Sequence, residues 1–195
     1  MSSNDTDRGP WDDDPGGLGL VLDEERGSLP FTLIHGEALV ACAAWALGEA
    51  GVQLVDATVA WEDVVATGED LVLHDSLCPM TPPAFIHACL DRARSTGRAV
   101  IGVRPVTDTV KVVADHLVGA TLDRDALLAV TSPLVIPAGV LAEVPVRPHV
   151  DLARAVADLA GAGQPIETMA APPEGRRVSS AEDVRVLDAL TTAAG

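Results

Sequence analysis

A chain of 195 residues leaves room for one sizeable hydrophobic core and excludes two large domains. Its 48% hydrophobic and 22% charged residues exclude wholesale disorder, collagen-like repeats and coiled coils. Twenty-nine acidic against 13 basic side chains give a net charge of -16, which repels nucleic-acid backbones and anionic membrane surfaces. Aromatics at 3%, with no Tyr, argue against base stacking.

Along the chain, residues 1–17 carry Asp5, Asp7, Asp12, Asp13 and Asp14 among Gly and Pro, too little apolar surface to offset ordering entropy. They are expected to form a flexible acidic tail before a single domain over 18–195. Branched-aliphatic runs predict strands at Leu18–Leu22, Phe31–Ile34, Val52–Val59, Leu71–Leu73 and Ala99–Val103. Leu39, Cys42, Ala43, Ala46, Leu47 and Ala50 recur at helical spacing before Gly51. A second helix follows Pro82-Pro83 and stops at Gly97. Lys111–Val118, Thr121 and Leu127–Val130 read as an extended excursion that leaves the sheet and returns to it. Asp151–Ala160 and Ala181–Leu190 read as closing helices. Alternating strands and helices predict an α/β layered fold on a mainly parallel sheet, with ligands at the carboxyl ends of its strands.

Cys42, Cys78 and Cys89 show neither a C-x-x-C pair nor zinc-ligand spacing, which points away from disulfides and structural metal and toward a reducing cytosol. No apolar run approaches the ~18 residues of a membrane span, and no basic-then-apolar leader is visible. The expectation is a cytoplasmic protein without membrane or nucleic-acid partners. His74, ending an apolar strand, reads as a packed structural residue rather than a base, and Cys78 beside Pro79 as a quiet thiol. Lys111 is the only lysine.

The segment Arg104-Pro105-Val106-Thr107-Asp108-Thr109-Val110-Lys111, followed by Thr121-Leu122-Asp123-Arg124, resembles the methylerythritol phosphate cytidylyltransferases of isoprenoid precursor biosynthesis. His74-Asp75-Ser76-Leu77-Cys78-Pro79 is similar to that family's H-D-A-A-R-P. Val178-Ser179-Ser180-Ala181-Glu182-Asp183-Val184 is similar to its closing V-T-T-P-E-D-L, and Thr131-Ser132-Pro133 falls where its T-P-Q stands. The resemblance implies a Rossmann-like nucleotidyltransferase fold and a homodimer held by an arm at about 107–126 that reaches the partner's substrate site. It implies Asp75 and Arg177 as catalytic residues, with Asp75 also the metal ligand. Thr107, Asp108, Thr109, Arg124 and Ser132 become substrate contacts, and Arg26 a nucleotide contact. An active member would need Mg²⁺ and CTP; an inactive one would need neither.

The chain departs from the family on the nucleotide side. Where a glycine-rich basic loop and a lysine are expected, it reads Leu22-Asp23-Glu24-Glu25-Arg26-Gly27-Ser28-Leu29-Pro30-Phe31, with Phe31 at the lysine. Two like charges ~4 Å apart repel by roughly 4 kcal/mol at an effective dielectric of ~20, so three carboxylates there oppose phosphate binding. The second family lysine maps onto Arg177, Cys78 replaces the Arg of H-D-A-A-R-P, and the stretch before His74 is short for the family's G-G-x-x-R-x-x-S-V segment. Two readings stand: a weakly active or inactive paralogue, and a non-catalytic binding or regulatory subunit that pairs with a complete cytidylyltransferase. A ligand-free interaction protein is a third.

Overall fold

Ten strands and six helices follow one another in the computed structural model, which describes residues 16–144 and 146–192. In chain order they are β1 (Leu18–Leu22), β2 (Leu33–Ile34), β3 (Glu37–Ala38), α1 (Leu39–Glu49), β4 (Gln53–Leu54), α2 (Trp61–Ala66), β5 (Leu71–Asp75) and α3 (Pro83–Thr96). Then come β6 (Ala99–Pro105), β7 (Val110–Ala114), β8 (Leu117–Leu122), β9 (Leu128–Ile136), α4 (Ala138–Leu141), α5 (Leu152–Gly161), β10 (Ile166–Ala170) and α6 (Ala181–Thr192).

Six strands form the central sheet in the order β10-β6-β9-β5-β1-β4. All its neighbours pair in parallel except β9, which runs antiparallel to both β6 and β5. Side chains alternate across the sheet as a two-residue period requires. Leu71, Leu73, Ile101, Leu134 and Ile136 face one layer with Leu152, Ala155 and Leu159 of α5. Val72, Val100 and Val135 face the other, with Leu47 of α1 and Ile86 and Leu90 of α3. With so few aromatics, closeness substitutes for bulk: a Cβ on Gly102 would come within 2.6 Å of the Ser132 carbonyl oxygen, so only glycine lets β6 and β9 approach there.

The layered α/β architecture and mainly parallel sheet are as expected, and several elements differ locally. Residues 1–15 of the expected tail lie outside the described residues. Gly16 and Gly17 are already packed, and the Gly16 N–H donates to the Gly51 carbonyl at 2.9 Å. Of Val52–Val59 only Gln53 and Leu54 are strand. The Asp56 carboxylate accepts from the Thr58 N–H at 2.7 Å, closing a local turn that competes with extension. Phe31 ends a 3₁₀ turn that begins at Leu29 and contains Pro30; it does not belong to a strand. The returning strand runs on through Thr131 and Ser132 to Ile136 and forms the middle of the sheet. Among the described residues no helix is long and apolar enough to cross a membrane.

Candidate functional site: a carboxylate held by two arginines

Parallel register sets Leu22 beside Asp75, so the chain leaving β1 begins next to the last residue of β5. Ser76 fastens the two ends, its N–H and hydroxyl both donating to the Leu22 carbonyl, at 3.1 and 2.8 Å. The turn beyond β1 then folds back, with Glu25 and Gly27 in the left-handed region at φ 59° and 60°. This carries Arg26 inward while Glu24 and Glu25 stay exposed. A small cluster of Ile34, Leu39, Leu77, Val178, Val184 and Leu187 lays α6 near the same end of the sheet. The Val178 N–H donates to the Leu77 carbonyl at 2.8 Å, which brings Arg177 alongside Asp75.

Asp75 is buried and receives four donors. Its Oδ1 accepts from Arg26 Nε at 3.2 Å and from the Leu77 N–H at 3.0 Å. Its Oδ2 accepts from Arg26 Nη2 at 3.3 Å and Arg177 Nε at 2.8 Å. An ionised carboxylate offers about four lone-pair sites, and all four are taken. The Arg26 side chain is 6% exposed and also donates to the carbonyls of Val150, at 2.8 Å, and Glu24, at 3.3 Å. Arg177 is 37% exposed. Burial works against its charge, yet the Asp75 carboxylate holds its pKa above the ordinary value. Only its Nε makes a hydrogen bond among the described residues.

Ser132 supports this carboxylate from below. Its hydroxyl accepts from the Asp75 N–H at 3.0 Å and shares a hydrogen bond with His74 Nδ1. His74 is fully buried, its Nε2 has no partner, and burial pushes its pKa down to about 4 against a smaller opposing pull from Asp75. It is a neutral packed residue, as read from the sequence. Cys78 is equally buried, which raises its thiol pKa and leaves it inert. Asp151 caps α5 by accepting from the Arg154 N–H at 3.0 Å. That bond chiefly lowers its pKa, and Arg26 and Arg177 lower it further, so a second carboxylate shares their field.

The other expected contacts gather elsewhere. Thr107, Asp108 and Thr109 are exposed in the loop between β6 and β7. Arg124 reaches back along its own chain to donate from Nη1 to the Thr107 carbonyl at 2.8 Å. Thr109, Thr121 and Arg124 line a shallow hollow of ≈ 430 Å³ on the arm, which Asp75 does not border. The only lysine, Lys111, is spent inside the hairpin on the Thr121 hydroxyl. A larger apolar hollow of ≈ 610 Å³, lined by Cys42, Trp45, Met80 and Pro83, contains none of these residues. The sequence reading missed the Leu77 N–H donor and the Val150 carbonyl acceptor, which are backbone groups without a sequence signature. It also missed Arg104, whose Nη1 donates to the carbonyls of Ala171 and Pro172 at 3.2 and 2.7 Å and ties β6 to the end of β10.

Magnesium does not fit Asp75 in this arrangement. Every lone pair of the carboxylate is engaged, and no group of three His, Cys, Asp or Glu side chains among the described residues forms a metal cage.

The strand order and the mainly parallel sheet flanked by helices define an α/β nucleotidyltransferase-like fold. A solved 2-C-methyl-D-erythritol 4-phosphate cytidylyltransferase from Thermus thermophilus superposes with a TM-score of 0.65 at 17% identity, covering 90% of this chain and 98% of that one. The family model for 2-C-methyl-D-erythritol 4-phosphate cytidylyltransferase matches residues 49–185, and the chain belongs to that family. The Nocardia farcinica cytidylyltransferase is 34% identical over 125 residues, 61% of this chain and 52% of the relative. That of Syntrophotalea carbinolica is 38% identical over 68 residues, 35% of this chain and 29% of the relative. The chain thus matches about half or less of these relatives' lengths.

Proposed function

We propose that this chain is a catalytically impaired member of the cytidylyltransferase family, one that joins CTP to a sugar phosphate weakly or not at all. The observation that carries the reading is the fate of Asp75. The carboxylate expected to be catalytic and to hold the metal is consumed by Arg26, Arg177 and the Leu77 N–H. The turn where a phosphate cradle belongs exposes Glu24 and Glu25 and has no ammonium group. Transfer to the α-phosphorus of CTP concentrates negative charge that a site must meet with fixed donors and cations. Of the two arginines on the carboxylate, Arg26 has one guanidinium N–H left and Arg177 keeps both of its terminal nitrogens unspent among the described residues.

A second reading, a non-catalytic subunit lending its arm to a complete cytidylyltransferase, is favoured by the exposed apolar hairpin and by Arg124 standing away from its own chain's Asp75. Calorimetric titration with CTP and Mg²⁺, paired with a pyrophosphate-release assay on a sugar phosphate, tests the first reading. No heat of binding and no pyrophosphate are expected. Micromolar CTP affinity with pyrophosphate release would overturn it.

A further inference from the structure

We infer that Arg26 is the resident cation at Asp75: its guanidinium fills the carboxylate positions that a divalent ion would need, so the site does not take up magnesium. Three observations converge. Arg26 engages both oxygens of one buried carboxylate, through Nε at 3.2 Å and Nη2 at 3.3 Å, a forked contact that no ammonium group makes. The side chain is held at 6% exposure by two further acceptors, the Val150 and Glu24 carbonyls, so the charge is built in rather than loosely parked. A metal ion also demands a free oxygen lone pair at ~2.0–2.1 Å, and Asp75 has none left.

Charge balance agrees. Arg26 and Arg177 face Asp75 and Asp151, two positive against two negative groups. A divalent ion added here would meet two guanidinium groups and an already compensated carboxylate, which disfavours its entry. Arg26 was legible in the sequence as the one cation of an acidic turn. Its burial against Asp75 is what converts it from a nucleotide contact into a counter-ion for the site's own carboxylate. The inference rests on the reading of this cluster as a modified cytidylyltransferase site, and its test uses no nucleotide, so the two fail separately.

The probe is Mn²⁺, followed by electron paramagnetic resonance on the full chain. Wild type and Asp75→Asn are expected to bind the same weak background, which the acidic surface supplies. Arg26→Gln frees one position on each carboxylate oxygen and is expected to gain a Mn²⁺ site at least about tenfold tighter than that background, lost again in Arg26→Gln/Asp75→Asn. Wild-type binding that Asp75→Asn abolishes, or no gain in folded Arg26→Gln, would overturn the inference. Should the variants not fold, thermal melts of the wild type decide. A melting temperature unchanged by Mg²⁺ at matched ionic strength supports the built-in cation, and a Mg²⁺-specific rise refutes it.

Discussion

His74 shows how a single residue beside this site is governed by its surroundings rather than by its family motif. Ser132 takes up Nδ1, the other ring nitrogen has no partner, and burial disfavours the imidazolium, so the folded state keeps the ring neutral down to about pH 4. In the unfolded chain the ring titrates near its ordinary value of ~6.5. Between those two values the unfolded state binds a proton that the native state refuses, so stability is full above about pH 6.5 and falls as pH drops toward 4. The loss is on the order of 3 kcal/mol. Urea denaturation across this window, comparing wild type with His74→Gln, measures it. The variant is expected to lose that part of the slope, and an unaltered slope would show that His74 carries none of the dependence. Asp75, one residue on, was equally plain as a motif residue. What no motif revealed is that its lone pairs are already filled, because the arginines that fill most of them stand 49 and 102 positions away in the chain.

At the level of elements, legibility followed local pattern. β1, α1, α3 and α6 were readable because each buries apolar residues at a regular spacing, and α3 is closed by Gly97 at φ 65°. β9 was read short because Ser132-Pro133 interrupts the run and proline argues against a central strand. The register shift opposite Ile101 and Val103 absorbs that interruption. The β7-β8 hairpin was anticipated as an excursion, and its geometry sharpens the expectation of an arm. Asp115 and His116 both take positive φ, 49° and 63°, which matches the tight two-residue turn joining Ala114 to Leu117. Yet Val113, Leu117 and Val118 are 64%, 73% and 72% exposed, and an isolated two-stranded hairpin is marginal in water. Such a ribbon calls for a second surface, and we propose that a second copy supplies it through the arm. Burying Leu117 or Val118 at that surface contributes ~1.5–3 kcal/mol each. Leu117→Asp is therefore expected to weaken self-association by about 10- to 100-fold in sedimentation velocity while leaving circular dichroism unchanged. An equal dissociation constant for variant and wild type would remove the hairpin from the interface.

For the whole molecule, the net charge of -16 acts on assembly as well as on ligands. The proposed pairing of two identical copies through their arms would bring two strongly negative bodies together, with repulsion extending over the ~8–10 Å Debye length of ordinary buffers. A complete family member of lower negative charge offers the same kind of arm contact with less repulsion. In the proposed mixed pair, Thr107 and Arg124 would stand beside the other member's site. Mixed at equal concentration with a complete cytidylyltransferase and followed by native mass spectrometry, the chain is expected to form heterodimers. At low salt they should exceed the one half that random pairing produces, and at about 1 M salt, where screening shortens to ~3 Å, they should decline toward that half. Leu117→Asp is expected to weaken the mixed species by about 10- to 100-fold, as for self-association, the hairpin being the proposed contact in both. The absence of any mixed species at either salt concentration would remove the partner reading and leave the impaired cytidylyltransferase standing alone.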